Sequence, residues 1–364
     1  MDRRTQWIRR PATDTAMALC WVPFAMAAWT VRHEPDAFST LLAATFALSL
    51  AHQPLTVALV YGDPGQFKQR RRLFSASPLV FLAGILIGMQ VSVLLVAAIA
   101  GLWNALHTLM QRYGITRIYG RMAGQSDGRI ERAMLLTWLA LAALWAAASP
   151  SLPDRVAGIR LGTVNRNGID MLTSARPYAA ALVVVAVVAS VVLAMVWWRQ
   201  ERRSAVVNPA KYFYLASTAL LFGVALVDPI VGFLAYVGSH AVEYLVIVHG
   251  HLGRRYRGDG ADAGGALGAV VRSPVGRSGF MTAYLLVAVG TFAVLRANSS
   301  TFTYTVVFLT FGGLHVFYDG FIWKLRRPAV ARGFAIDATS PPPPTLVGLT
   351  VGTAPVPAAV ASGG

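Results

Sequence analysis

Nine long blocks of nearly unbroken apolar residues dominate this chain. They lie near 15–31, 38–61, 78–111, 133–149, 178–198, 211–228, 230–250, 278–297 and 302–323. A helix rises about 1.5 Å per residue, so about 20 residues cross a bilayer core about 30 Å thick. Eight of the blocks have that length, and 78–111 is longer. The pattern predicts an all-α, polytopic transmembrane helix bundle of nine or ten spans. Composition agrees: 55% of residues are hydrophobic and 13% charged, where a soluble domain carries about 25% charged residues. A disordered chain and an ordinary soluble enzyme are both excluded.

Charge sets the expected topology. The net charge is +16, from 32 Lys+Arg against 16 Asp+Glu. In a soluble protein this would suggest nucleic acid; here the cations sit between apolar blocks, where positive-inside loops belong. No nucleic-acid partner is expected. Arg3, Arg4, Arg9 and Arg10 place the N-terminus inside. The block 78–111 holds 34 residues, about 51 Å as one helix. It is either one helix running on into the cytosol or a tight hairpin. Lys68, Arg70, Arg71 and Arg72 before it are inside, as are Arg112, Arg117, Arg121, Arg129 and Arg132 after it. Two inside flanks require an even number of crossings, hence a hairpin of about 78–94 and 96–113. That gives ten spans with both termini cytoplasmic, in a bacterial inner membrane. The outer loop 150–177, with four arginines, is the one feature against it. Residues 1–328 form the bundle. The tail 329–364, with Pro341 to Pro344, is expected to be disordered. Cys20 is the only cysteine, which excludes an intrachain disulfide and a Cys-based metal site. The first block reads as a first span rather than a cleavable signal.

The histidines carry the chemistry. His52, His107, His240 and His315 lie well inside apolar blocks, where ionisable or metal-binding groups are costly and mark function. On the hairpin topology all four stand on helices running from outside to inside. Each precedes the cytosolic end by 6 to 10 residues, roughly 9–15 Å of helix. Four histidines at one depth can converge. Glu243 lies at i+3 from His240 and Asp319 at i+4 from His315, and both spacings share a helix face. Imidazole and carboxylate without thiolate suit Fe, Mn or Zn. His52, His107, His240, His315, Glu243 and Asp319 are therefore the expected metal ligands, with Glu243 and Asp319 also the catalytic carboxylates. The four histidines suffice for one iron; adding both carboxylates fits two, so nuclearity stays open. The competing reading makes each histidine a hydrogen-bonded packing residue.

Ligating histidines need partners on their other nitrogen. Trp103, Asn104 and Gln111 share the face of His107 and are expected to support the cofactor. Gln53, Thr56, Tyr244 and Tyr318 are further candidates, although aromatics at these places serve packing or an interfacial belt equally well. His249 and His251, beside Arg254 and Arg255, read as interfacial, with His249 a possible extra ligand. His33 falls on the outer side. Asp63-Pro64-Gly65 reads as a turn and Asp228-Pro229 as a break between two helices.

Two motifs carry a resemblance. W-x3-H-x3-Q-x-Y-G spans Trp103 to Gly114, and H-x3-D-G-x-I-W-K-L-R spans His315 to Arg326. With the His52 and His240–Tyr244 segments, the chain resembles an uncharacterised bacterial family of multi-span membrane proteins. More distantly it is similar to Brp/Blh-type carotene dioxygenases, in which membrane histidines hold iron, and to membrane fatty-acid desaturases and hydroxylases. It departs from the latter in lacking HxxHH and HxxxH. The resemblance implies only a His-rich iron site under the membrane surface. The expected function is a membrane-embedded non-haem iron oxidoreductase using O2 on an apolar substrate from the lipid bilayer, with an external electron donor. No haem is expected, because bis-His haems want histidines at two depths. The alternative function is a transporter or proton-coupled carrier with a buried His/Asp/Glu relay.

Overall fold

A computed structural model describes residues 6–161, 163–204, 206–257 and 265–325, with Val330 and Phe334. It is all-α; among the described residues there is no strand. The helices are α1 (Pro11–Ala18), α2 (Trp21–Val31), α3 (Pro35–Tyr61), α4 (Pro64–Lys68), α5 (Arg71–Val91), α6 (Val93–Met122), α7 (Arg129–Ala148), α8 (Leu152–Ala157), α9 (Thr163–Ser174), α10 (Arg176–Arg202), α11 (Pro209–Val227), α12 (Pro229–Arg257), α13 (Gly265–Arg272), α14 (Gly276–Asn298) and α15 (Thr301–Ile322). Taking α1 and α2 together, ten stretches among the described residues are long and apolar enough to cross a membrane. Apart from Val330 and Phe334, the tail expected from 329 onward lies outside the described residues, and with it that domain boundary.

Helix starts follow from local chemistry. Proline opens α1, α3, α4, α11 and α12, where its missing N–H would have lacked a partner anyway. Asp63, Ser92, Asn208 and Ser300 cap their helices by accepting backbone N–H groups. Asp228 does the same for Ile230 and Val231, so the Asp228-Pro229 break is a helix cap.

The block 78–111 contains a break at one residue. Ser92 is extended, at φ −165° and ψ 113°, and its Oγ accepts from Leu95 N at 3.2 Å. Phe81 and Trp103 are equidistant in sequence from Ser92, and their ring centroids are 6.0 Å apart. The two helices therefore fold back along each other as a hairpin. Its arms are longer than the expected 78–94 and 96–113, because both run past the apolar residues into charged sequence.

Four helices run the same way through the core. Going down α3 and on to the cap of α4, His52, Thr56 and Asp63 meet His240, Tyr244 and Tyr256 of α12 in turn. Thr56 also meets His315 and Asp319 of α15. On α6, the carbonyl of Ala105 accepts from Tyr236, and Gln111 reaches Glu243 one and a half turns on. α3, α6, α12 and α15 are thus parallel, and equal depth in sequence becomes equal depth in space.

One expectation about charge is corrected. Arg112 does not flank a loop. It is fully buried, 2.9 Å from Glu243, and also donates to Thr218 and Ser239. The four arginines of 150–177 all have structural partners. Arg155 pairs with Asp228 at 2.7 Å and Arg160 with Asp36 at 2.7 Å. Arg166 donates to the carbonyls of Ala157, Ile159 and Leu161, and Arg176 to that of Ser149. They hold the loop to its neighbours instead of standing free in it. A second buried cation, Lys211, lies 2.6 Å from Glu131 and also pairs with Glu201.

Candidate metal centre

The structure brings His52, His107, His240 and His315 into one cluster. Ring centroids lie 4.7 Å apart for His52–His315, 4.8 Å for His107–His315, 4.8 Å for His52–His240 and 5.2 Å for His107–His240. His315 stands across the cluster from His240, with centroids 6.2 Å apart, and adjoins the other two. Its Nε2 is 3.2 Å from His52 Nε2 and 3.0 Å from His107 Nε2. Possible ligand atoms of His52, His240 and His315 lie within 4.8 Å of one another, as do those of His107, His315 and Asp319.

These spacings fit hydrogen bonds between imidazoles and also ligands about a common ion. One imidazole nitrogen has one lone pair or one hydrogen. His315 Nε2 therefore cannot make a full hydrogen bond to both neighbours. Ligands about 2.0–2.2 Å from a common ion, at angles between square and tetrahedral, lie about 2.8–3.6 Å from each other. Both Nε2 contacts fall in that window. His240 adds a second sign. It is 1% exposed, and neither ring nitrogen has a hydrogen-bond partner. A buried polar group left unpaired costs about 1–3 kcal/mol, and a metal ion removes the cost.

Asp319 is built into the same site. Its Oδ1 accepts from Thr56 at 3.1 Å, Tyr244 at 3.1 Å and Trp323 at 3.0 Å. Three donors hold that oxygen and turn Oδ2 toward the cluster, 3.7 Å from His107 Nε2 and 3.8 Å from His315 Nε2. Thr56 Oγ1 also lies 2.7 Å from His315 Nδ1. One hydroxyl thus fixes both the imidazole and the carboxylate. Replacing Thr56 by valine keeps the shape and removes the hydroxyl. The expected result is metal affinity about 10–100-fold weaker, read by competition with a chelator.

Glu243 is the principal correction among the site residues. It joins no ligand group with the histidines among the described residues. Its Oε1 is 2.9 Å from Arg112, and its Oε2 accepts from Gln111 at 3.1 Å. Both members of the ion pair are fully buried. A carboxylate so close to a guanidinium has its charge satisfied there, and it ties α12 to α6 instead of facing the centre. Gln111 donates to Glu243 and to the carbonyl of His240, so it supports the α12 backbone and not the His107 ring. Trp103 is 41% exposed against Phe81, and Asn104 is half-buried; among the described residues neither is hydrogen-bonded to the four histidines. Tyr318 faces Tyr61 and Ser77. His249 lies 3.0 Å from Ser278. His251 is buried, and its ring packs on Trp323.

Sequence reasoning missed Trp323, which stands at i+4 from Asp319 and is legible by the same spacing that pairs Asp319 with His315. It also missed Arg112 as the partner of Glu243, for which the linear sequence holds no signal. No known family model, curated protein or solved structure matches this chain.

Proposed function

We propose that this integral membrane protein is a non-haem metal oxidoreductase. In this reading His52, His107, His240, His315 and Asp319 hold one ion, iron, which supplies O2 activation for attack on an apolar, lipid-like substrate. The observation that carries it is the pair of Nε2 contacts at 3.0 and 3.2 Å about His315. One shared ion accounts for both. Two ions about 3.5–4 Å apart would divide the ligands between two centres, and here His315 belongs to both groups. Five donors of the N4O type exceed the four that zinc usually takes and leave a sixth octahedral position for O2. The resemblance to Brp/Blh-type dioxygenases belongs to the same reading. An external electron donor would act from the cytoplasmic side.

Metal analysis with a visible spectrum of the purified protein is the test. About one iron per chain without a Soret band is the expected result. A Soret band would mean haem. A stable, metal-free protein would favour a proton-coupled carrier. The observation that speaks for the carrier is the run of hydrogen-bonding groups from His315 through Thr56 to Asp319 and Tyr244.

The proposed location is a bacterial inner membrane with both chain ends cytoplasmic. It is supported by the basic residues that follow α3, α6, α10 and α12. Reporter fusions after Arg121 and after Arg203 are expected to report inside, and one at Ser92 outside. An outside report at Arg121 would overturn the orientation.

A further inference from the structure

We infer that the metal centre opens sideways onto the lipid at the edge formed by His107 and Asp319, and that this opening admits an apolar ligand such as an acyl or isoprenoid chain. The inference rests on the metal reading above and names how its substrate arrives. Four observations carry it.

The first is exposure. His52, His240 and His315 are each 1% exposed, whereas the side chains of His107 and Asp319 retain 9% and 8%. Thr56, Tyr244 and Trp323 cover Asp319 Oδ1.

The second is depth. His107 lies fifteen residues from the hairpin tip at Ser92, about 22 Å along the helix. A side opening there meets acyl chains, not water.

The third is the frame. Trp103 stands one turn from His107 on the same helix. Phe81 of α5 lies 6.0 Å from its ring and 5.4 Å from that of Phe317, four residues before Phe321 and two after His315 on α15. Trp103 thus lies on the His107 face of α6 with Phe81 against it, and neither ring carries a charge. A ligand passing them must be apolar along its length, with any polar group at the end that reaches the ion.

The fourth is how Phe81 is seated. A Cβ on Gly313 would fall 2.6 Å from Phe81 Cδ1, so the bare glycine is what lets this ring lie against α15. Real Cβ atoms do not approach carbon so closely. α5 is otherwise among the most lipid-exposed spans, with 17% of its apolar stretch buried.

The test uses the iron-loaded protein in lipid nanodiscs. Alkyl isocyanides of increasing chain length are mixed with the ferrous form, and azide with the ferric form. Isocyanide association is expected to quicken with chain length, as the ligand concentrates in the bilayer, and to outpace azide. Phe81→Ala and Trp103→Ala should speed it several-fold with iron content unchanged. Leu286→Ala, at a 71% exposed position on α14, should not. Phe81→Leu gives the same comparison if the alanine variant fails to fold. Rates independent of chain length, azide as fast as isocyanide, or Phe81 variants equal to Leu286→Ala would each overturn the side opening while leaving the metal site intact. A wild-type protein that binds no metal would overturn the site and the opening together.

Discussion

His315→Ala is expected to leave the purified protein without iron. Its Nε2 contacts two neighbouring imidazoles, and it is the one residue common to both ligand groups. Removing it takes away the one imidazole whose Nε2 lies against both His52 Nε2 and His107 Nε2. It also frees Thr56, which then loses one of the two ligands it holds. Losing a residue that merely orients a ligand costs about 10–100-fold in affinity, and losing the shared ligand should cost more. Asp319→Asn should lower iron too, because the amide keeps the shape but not the charge. His249→Ala is the control: that ring meets Ser278, and iron should stay at the wild-type level. Wild-type iron content in both His315→Ala and Asp319→Asn would refute the site.

Breaking the Arg112–Glu243 pair is expected to have the largest effect on stability. Each partner is fully buried, and removing one from a buried pair leaves the other charge uncompensated, at about 3–5 kcal/mol. Glu243→Gln and Arg112→Met should each lower the thermal midpoint in detergent sharply. The double variant Arg112→Met/Glu243→Leu should recover most of the loss, since an apolar pair of similar volume removes both desolvation penalties. It should also keep its iron. That last measurement separates two roles for Glu243. A ligand would take the metal with it, whereas a clamp between α6 and α12 would not.

Much of the site is legible in the amino-acid sequence because helix geometry is regular. At a fixed rise per residue, position along an apolar block fixes depth. Parallel helices with histidines at matching depth can then bring them together. The hairpin is legible from charge parity, because an odd number of crossings would put Arg117 and Arg121 on the wrong side. Its tip is marked only by Ser92, a capping residue between valines, so the ends of the arms are not.

What the sequence could not determine is the rotation of each helix about its own axis. At about 100° per residue, a group at i+4 sits about 40° from its reference and a group at i+3 about 60° to the other side. Asp319, at i+4 from His315, turns toward the cluster because Thr56, Tyr244 and Trp323 hold one of its oxygens. Glu243, at i+3 from His240, turns toward α6 because Arg112 waits there. Both offsets satisfy the same rule of a shared face. The sequence by itself determined the spans, their parity and the depth of four histidines, because these depend only on hydrophobicity, charge and rise. Only the tertiary structure decided which carboxylate faces the histidine cluster, because that depends on which side chain the neighbouring helix presents.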